Sequence, residues 1–102
     1  MIPQLEDHRG EIEELCHRFA VRRLEAFGSA VLGDFDPARS DVDFLVEFHE
    51  AAPIGHADAY FGLLEELQRV LGRSVDLVVI SAVKNPYFLE NIERSRTLLY
   101  AA

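Results

Sequence analysis

The chain has 102 residues, of which 49% are hydrophobic, and its formal net charge is −8. This length is typical of a single domain, so we expect residues 1–102 to form one. The acidic balance argues against a partner held through a nucleic-acid backbone, because such binding needs a basic surface. It leaves open a small nucleotide bridged by metal ions, a basic protein partner, or simply a soluble acidic surface.

The sequence also bears on location. No apolar run approaches the length of a bilayer span, and the polar N-terminus MIPQLEDHRGEIEEL does not resemble a secretory signal. Cys16 is the single cysteine and cannot form an internal disulfide. We therefore expect a cytoplasmic protein without membrane association.

Apolar residues at helical spacing predict helices in three places. The first covers Pro3–Phe19, with Gly10 as its weak point. The second covers Ala57–Leu71 and is ended by Gly72, and the third begins at Pro86 and runs to Arg96.

Strand signals lie between these helices. Strands are predicted over Val21–Phe27, Asp41–Phe48 and Ser74–Ile80, and the ending TLLYAA is predicted as either more helix or an edge strand. A single helical turn is predicted over Ser29–Leu32, with a loop over 34–40 and a linker over 49–55. This order predicts a small α/β fold with a mixed sheet of three to four strands flanked by helices.

Three aspartates stand out in these strands. Asp41 and Asp43 are two residues apart, so both point to one face of their strand, roughly 7 Å from each other along the backbone. Two such carboxylates repel each other unless a cation or a proton lies between them, and Mg²⁺ prefers oxygen ligands of this kind. Asp76 lies inside the apolar run SVDLVVI, where an unpaired buried charge would be costly. Neighbouring strands would let the three share a metal.

Each of these features has a simpler interpretation by itself. An Asp-x-Asp pair can be a strand end that faces water, and Asp76 can be an edge residue that discourages strand pairing. A calcium loop is disfavoured, because Ala38 and Arg39 stand where an oxygen ligand and a glycine are needed. An aspartyl-phosphate enzyme is disfavoured too, because its acidic pair should end an apolar strand rather than begin one. The combination in this order favours a metal site.

The Gly28-Ser29 pair follows the first predicted strand. A glycine there lets the backbone approach a ligand closely, and free N–H groups at the start of the next helical turn favour an anion. The Ser29 hydroxyl can add a hydrogen bond to phosphate. The turn therefore predicts a contact to nucleotide phosphates beside the aspartates.

Taken together, these residues resemble the minimal nucleotidyltransferases of the polymerase-β-like superfamily. The resemblance covers nearly the whole chain, down to the ending IERSRTLLYAA. It implies that Gly28 and Ser29 contact the phosphates of ATP. It implies that Asp41 and Asp43 bind two Mg²⁺ ions, and that Asp76 completes a metal site and helps to activate the acceptor hydroxyl.

The sequence departs from the family pattern in two places. Eleven residues separate Ser29 from Asp41, where the family often has ten. Leu32 stands where many members carry an arginine just before the glycine, which puts one cationic phosphate contact in doubt.

The resemblance also implies a partner. Family members this short are usually encoded beside a small helical RNase toxin of the HEPN class, and active members transfer AMP to a tyrosine of that toxin. We therefore expect a Mg²⁺-dependent antitoxin that uses ATP. The alternatives are an antitoxin that acts by non-covalent binding through Tyr87, Phe88 and Tyr100, or a subunit of an enzyme that modifies a small molecule. Nucleotide choice and homodimer formation stay open.

Overall fold

The computed structural model describes residues 1–33, 36, 41–50 and 55–102. The predicted loop over 34–40 lies outside the described residues except for position 36, and so does most of the predicted linker over 49–55. None of the helices in the described part of the chain combines the length and the apolar character that a membrane span requires. The cytoplasmic location and the extent of the domain stay predictions.

The described residues form a four-stranded mixed sheet, which confirms the predicted fold class. Its strands are β1 (Val21–Phe27), β2 (Val42–Phe48), β3 (Val75–Val79) and β4 (Thr97–Ala101). The spatial order is β3-β2-β1-β4, with β1 antiparallel to β2 and β4, and β2 parallel to β3. The ending TLLYAA is therefore an edge strand, one of the two outcomes that its sequence predicted.

Helices flank this sheet. They are α1 (Pro3–Asp7), α2 (Arg9–Arg18), α3 (Ser29–Leu32), α4 (His56–Leu71) and α5 (Pro86–Glu93), with a 3₁₀ turn at Ile80–Ala82. Gly72 ends α4 in the left-handed conformation, at φ 65°, as predicted.

The first predicted helix is wrong as one continuous element. The break falls at His8, whose backbone leaves the helical region at φ −107°, and Gly10 lies inside α2. The chain before the break is bound to α3, because the Ile2 N–H donates to the Ala30 carbonyl over 2.7 Å. Leu5 is fully buried in the hydrophobic core, which also holds α1 in place. The break therefore does not fall at Gly10, the position that low helix propensity indicated.

The two faces of the sheet differ in how they are covered. Phe44 and Val46 belong to the main core, where α2 and α4 pack against the sheet through residues such as Ile12 and Leu63. On the opposite face, α5 covers a smaller cluster made by Phe27, Leu45 and Ile92. Side chains alternate along a strand, so Asp43 shares the face of Leu45. The acidic residues therefore lie on the less covered face.

Candidate active site

The register of β2 against the edge strand β3 brings two of the predicted aspartates together. Asp43 pairs with Asp76 across the parallel β2–β3 ladder and with Phe27 across the antiparallel β1–β2 ladder. Neighbouring strands lie about 4.8 Å apart, so the two carboxylates project side by side from one face. Asp41 stands one residue before β2 and is exposed, while Val42 is fully buried in the main core. This alternation is the one that the sequence predicted.

Gly28 lies against the Asp43 carboxylate on the other side. Its backbone has φ 76° and ψ −148°, a conformation that residues with a Cβ rarely adopt. A Cβ built on Gly28 would stand 2.6 Å from Asp43 Oδ2, which is closer than two such atoms can approach. Glycine is therefore required here both by the backbone conformation and by the neighbouring carboxylate.

The turn that begins at Gly28 presents backbone donors. The Gly28 carbonyl accepts the N–H groups of Val31 and Leu32, each over 3.0 Å. In the described part of the chain, no acceptor faces the N–H groups of Ser29 and Ala30, the first two residues of α3. These donors and the Ser29 hydroxyl lie next to Asp43 through Gly28, so an anion could bind there.

The Gly28 N–H itself is already used. It donates to the Ser95 hydroxyl over 2.8 Å, and Ser95 is buried just beyond the end of α5. Sequence reasoning did not find Ser95, and no local pattern could have found it, since 67 positions separate the two residues. The predicted helix over Pro86–Arg96 is wrong at its end, because α5 ends at Glu93 and the next three residues lie outside it.

A buried ion pair also joins the residues that follow α5 to strand β1. The Glu25 carboxylate accepts from Arg96 Nε over 2.8 Å and from a terminal Arg96 nitrogen over 2.7 Å. It also accepts from Arg23 Nε over 2.9 Å. The Arg96 guanidinium holds the pKa of Glu25 below its usual value, so the group is charged and compensated. Sequence reasoning missed this pair as well.

The pKa of Asp43 is shifted in the opposite direction to that of Glu25. Burial raises the pKa of Asp43 to about 6, and the charges of Asp76 and then Asp41 add to the effect. At neutral pH the half-buried Asp43 carboxylate is therefore still charged, although its burial and its neighbours disfavour that charge. A bound cation would offset the repulsion between Asp43 and the other two carboxylates.

A hard divalent cation fits this donor set. Carboxylate oxygens are the ligands that Mg²⁺ prefers, and the carboxylates of Asp76 and Asp41 are close enough to Asp43 to act on its charge. Among the described residues, no three acidic, imidazole or thiol side chains converge closely enough to form a complete site by themselves. Ligands from outside the protein, such as phosphate oxygens and water, would have to fill the remaining positions.

Two neighbouring aromatic residues on α4 differ in their surroundings. Tyr60 packs against the main core, and its hydroxyl donates to the Leu77 carbonyl over 2.5 Å. Phe61 is 60% exposed. It follows Tyr60 on α4, so its side chain leaves the face that packs against the sheet.

Comparison with known proteins agrees with this arrangement. The family model described as a nucleotidyltransferase domain matches residues 9–99. Protein adenylyltransferase MntA of Thermococcus cleftensis is 42% identical over 73 residues, which cover 72% of this chain and 70% of that relative. A solved structure provisionally assigned as a minimal nucleotidyltransferase matches with a TM-score of 0.75 at 29% identity, covering 91% of this chain and 90% of that one.

A more distant solved structure extends the likeness in fold. It contains a tri-AMPylated HEPN toxin of Shewanella oneidensis in complex with an MNT antitoxin. The match has a TM-score of 0.64 at 18% identity and covers 95% of this chain and 72% of that chain. The family model spans most of the sequence, and the Thermococcus relative is 42% identical over a stretch that covers more than two thirds of this chain. The chain therefore belongs to the nucleotidyltransferase-domain family, as one of its minimal members, and is an enzyme of the protein adenylyltransferase class.

Proposed function

We propose that this enzyme is an antitoxin that transfers AMP from ATP, with Mg²⁺, to a tyrosine hydroxyl of a HEPN-type RNase toxin. The observation that carries the proposal is the pairing of Asp43 with Asp76 on one sheet face, directly beside the Gly28 turn. The pairing supports a cation-binding role for Asp43, which would then lie between a turn that binds phosphate and a second carboxylate. The MNT antitoxin solved with an AMPylated HEPN toxin supports the choice of partner.

The turn would hold the leaving end of the nucleotide. The N–H groups of Ser29 and Ala30 and the Ser29 hydroxyl would donate to the β- and γ-phosphates. Gly28 lets these phosphates approach the Asp43 carboxylate, because a Cβ would fill that space. Asp41 and Asp43 would hold two Mg²⁺ ions, which supply charge neutralisation at the phosphates when bound.

The transfer itself would occur on the Asp76 side of Asp43. The acceptor oxygen attacks the α-phosphorus of ATP, its new P–O bond forms, and the bond to the β-phosphate oxygen breaks to release pyrophosphate. The proton of the acceptor hydroxyl passes to the exposed Asp76 carboxylate and from there to solvent. Asp76 completes the metal site as a ligand in the same arrangement. The products are the O-adenylylated acceptor and pyrophosphate.

A second candidate function is neutralisation of the toxin by binding alone. The start of α5 favours it, because Tyr87 is 77% exposed and Phe88 is exposed beside it. Exposed aromatic residues of this kind are enriched in protein interfaces. Tyr100 supports this function less, because it is half-buried and its ring packs edge-on against His17.

The experiment is an intact-mass measurement of the HEPN partner after incubation with this protein, ATP and Mg²⁺. The proposal expects a mass gain of whole AMP units that chelation of Mg²⁺ abolishes. The control is the Asp41→Asn/Asp43→Asn variant, which should give no gain. Toxin neutralisation by that variant with an unmodified partner would instead favour binding alone. Adenylylation of a small hydroxylated compound, with neither modification nor neutralisation of the partner, would overturn both.

A further inference from the structure

A cavity of about 300 Å³ opens beside Gly28, between α3 and α5. Gly28 and Leu32 line it from the side of α3, and Phe88 and Arg94 line it from the side of α5. Its floor is largely apolar, because Phe27 and Phe88 meet there edge to face with their ring centroids 6.1 Å apart. The cavity is therefore continuous with the turn that would bind phosphate, on the side away from β3.

Arg94 differs from Arg96 and Arg23, the two arginines that bind the buried Glu25 carboxylate. Arg96 is bound to Glu25 and to Glu93, and Arg23 is bound to Glu25. Among the described residues, no carboxylate pairs with the guanidinium of Arg94. Arg94 is thus a cation without a counter-charge at the rim of an acidic site.

The backbone of Arg94 is fixed close to the turn. The next residue, Ser95, accepts the Gly28 N–H over 2.8 Å, and Arg96 grips the buried Glu25 on β1. Consecutive Cα atoms are about 3.8 Å apart, so Arg94 is held within side-chain reach of Gly28 and Ser29.

The opposite wall of the cavity lacks a cation. Leu32 stands there with 61% of its surface exposed and offers no charge to an anionic ligand. A triphosphate brought next to three aspartates needs positive charge besides that of any metal, because the chain itself carries −8.

On this basis we propose that Arg94 binds the β- and γ-phosphates of ATP from the α5 side of the cavity. The inference rests on the proposed use of ATP and adds a phosphate-binding residue to it. Arginine suits this role because its guanidinium can donate two parallel hydrogen bonds to phosphate oxygens.

The test is calorimetric binding of AMP-PNP in the presence of Mg²⁺, which needs no acceptor protein. Arg94→Gln should weaken binding about tenfold, and Arg94→Lys should weaken it less, because the charge is kept while the paired hydrogen bonds of the guanidinium are lost. Arg22→Gln is the matched control: Arg22 is an exposed arginine at the far end of β1, and its removal should change affinity less than twofold.

A rescue variant makes the test specific to this cavity. Leu32→Arg in the Arg94→Gln background puts a cation on the facing wall and should restore most of the lost affinity. The proposal is overturned if Arg94→Gln binds AMP-PNP within twofold of the wild type. It is also overturned if Arg94→Lys loses as much as Arg94→Gln, or if Leu32→Arg restores nothing. Nucleotide binding that depends on Arg94 without any AMP transfer would instead contradict the proposed function alone.

Discussion

The N–H of Gly28 donates a hydrogen bond to the hydroxyl of Ser95 over 2.8 Å, across 67 positions of sequence. Ser95 is only 5% exposed, so water cannot readily replace it as the acceptor. The bond joins the end of α5 to the turn that lies against Asp43. The Gly28 turn, which we propose to bind phosphate, is therefore held from the C-terminal part of the chain.

Ser95→Ala tests this control. Loss of the hydroxyl leaves a buried N–H without its acceptor, which should lower the free energy of unfolding by about 1–2 kcal/mol. The turn should also shift from the Asp43 carboxylate, so we expect kcat for AMP transfer to fall about tenfold in steady-state kinetics. Thr97→Val is the control, since its hydroxyl bonds the Ser95 carbonyl rather than the turn. Equal kcat losses in both variants would contradict a specific role for the Gly28–Ser95 bond.

Gly28→Ala should damage the site more severely. The added methyl would stand 2.6 Å from Asp43 Oδ2, and the backbone at φ 76° is strained for alanine. We expect AMP transfer to fall about a hundredfold, because the carboxylate or the turn must move by a substantial part of an ångström. Gly72→Ala is the matched control: it also has positive φ, at 65°, but meets no atom within 4 Å. It should cost about 1 kcal/mol of stability and leave transfer intact. Activity in Gly28→Ala equal to that in Gly72→Ala would contradict the predicted clash.

Asp43→Asn should separate stability from activity. Since the pKa of Asp43 is raised to about 6, the folded state binds its proton more tightly than the unfolded state, whose pKa is near 3.8. Folding stability without metal therefore falls as pH rises from about 4 to 6. Asp43→Asn removes this loss, so it should stabilise the metal-free protein by about 1 kcal/mol at pH 7 and by nothing near pH 4. Urea unfolding at both pH values measures this.

The same variant should lose AMP transfer completely. A metal-free Asp43→Asn protein that is less stable than the wild type at pH 7 would show that the Asp43 charge is already compensated. Asp7→Asn, an exposed change on α1 with no part in the site, is the control and should alter neither property.

Much of the arrangement around Asp43 could be predicted from sequence because it follows from short-range periodicity. Side chains alternate along a strand, so the spacing of Asp41 and Asp43 fixed their common face, and the buried Val42 fixed which face that was. The apolar run around Asp76 indicated a neighbouring strand. The strand bounds moved by only one residue at each end of β3.

The features that could not be predicted depend on contacts between distant residues. The pairing of Glu25 with Arg96 joins positions 71 apart, and nothing in either local sequence selects that partner. The helix break falls at His8 and not at Gly10, so local helix propensity did not locate it. Likewise Arg94 looks like one of several charged residues at the end of a helix until the cavity beside Gly28 is seen.

Glu25→Gln tests the buried ion pair that anchors the β4 side of the site. The pKa of Glu25 is lowered, so the pair stabilises the fold above the usual pKa of a glutamate, about 4.3. Its contribution is lost as pH falls through the lower, folded-state pKa. We expect Glu25→Gln to lower the free energy of unfolding at pH 7 by about 3 kcal/mol, because Arg96 and Arg23 lose their carboxylate. Glu47→Gln, which breaks only an exposed pair with Arg22, should cost under about 1 kcal/mol in the same urea titration. Equal losses in the two variants would show that burial of Glu25 adds nothing, whereas a difference that shrinks towards pH 3 would identify the charge on Glu25 as its source.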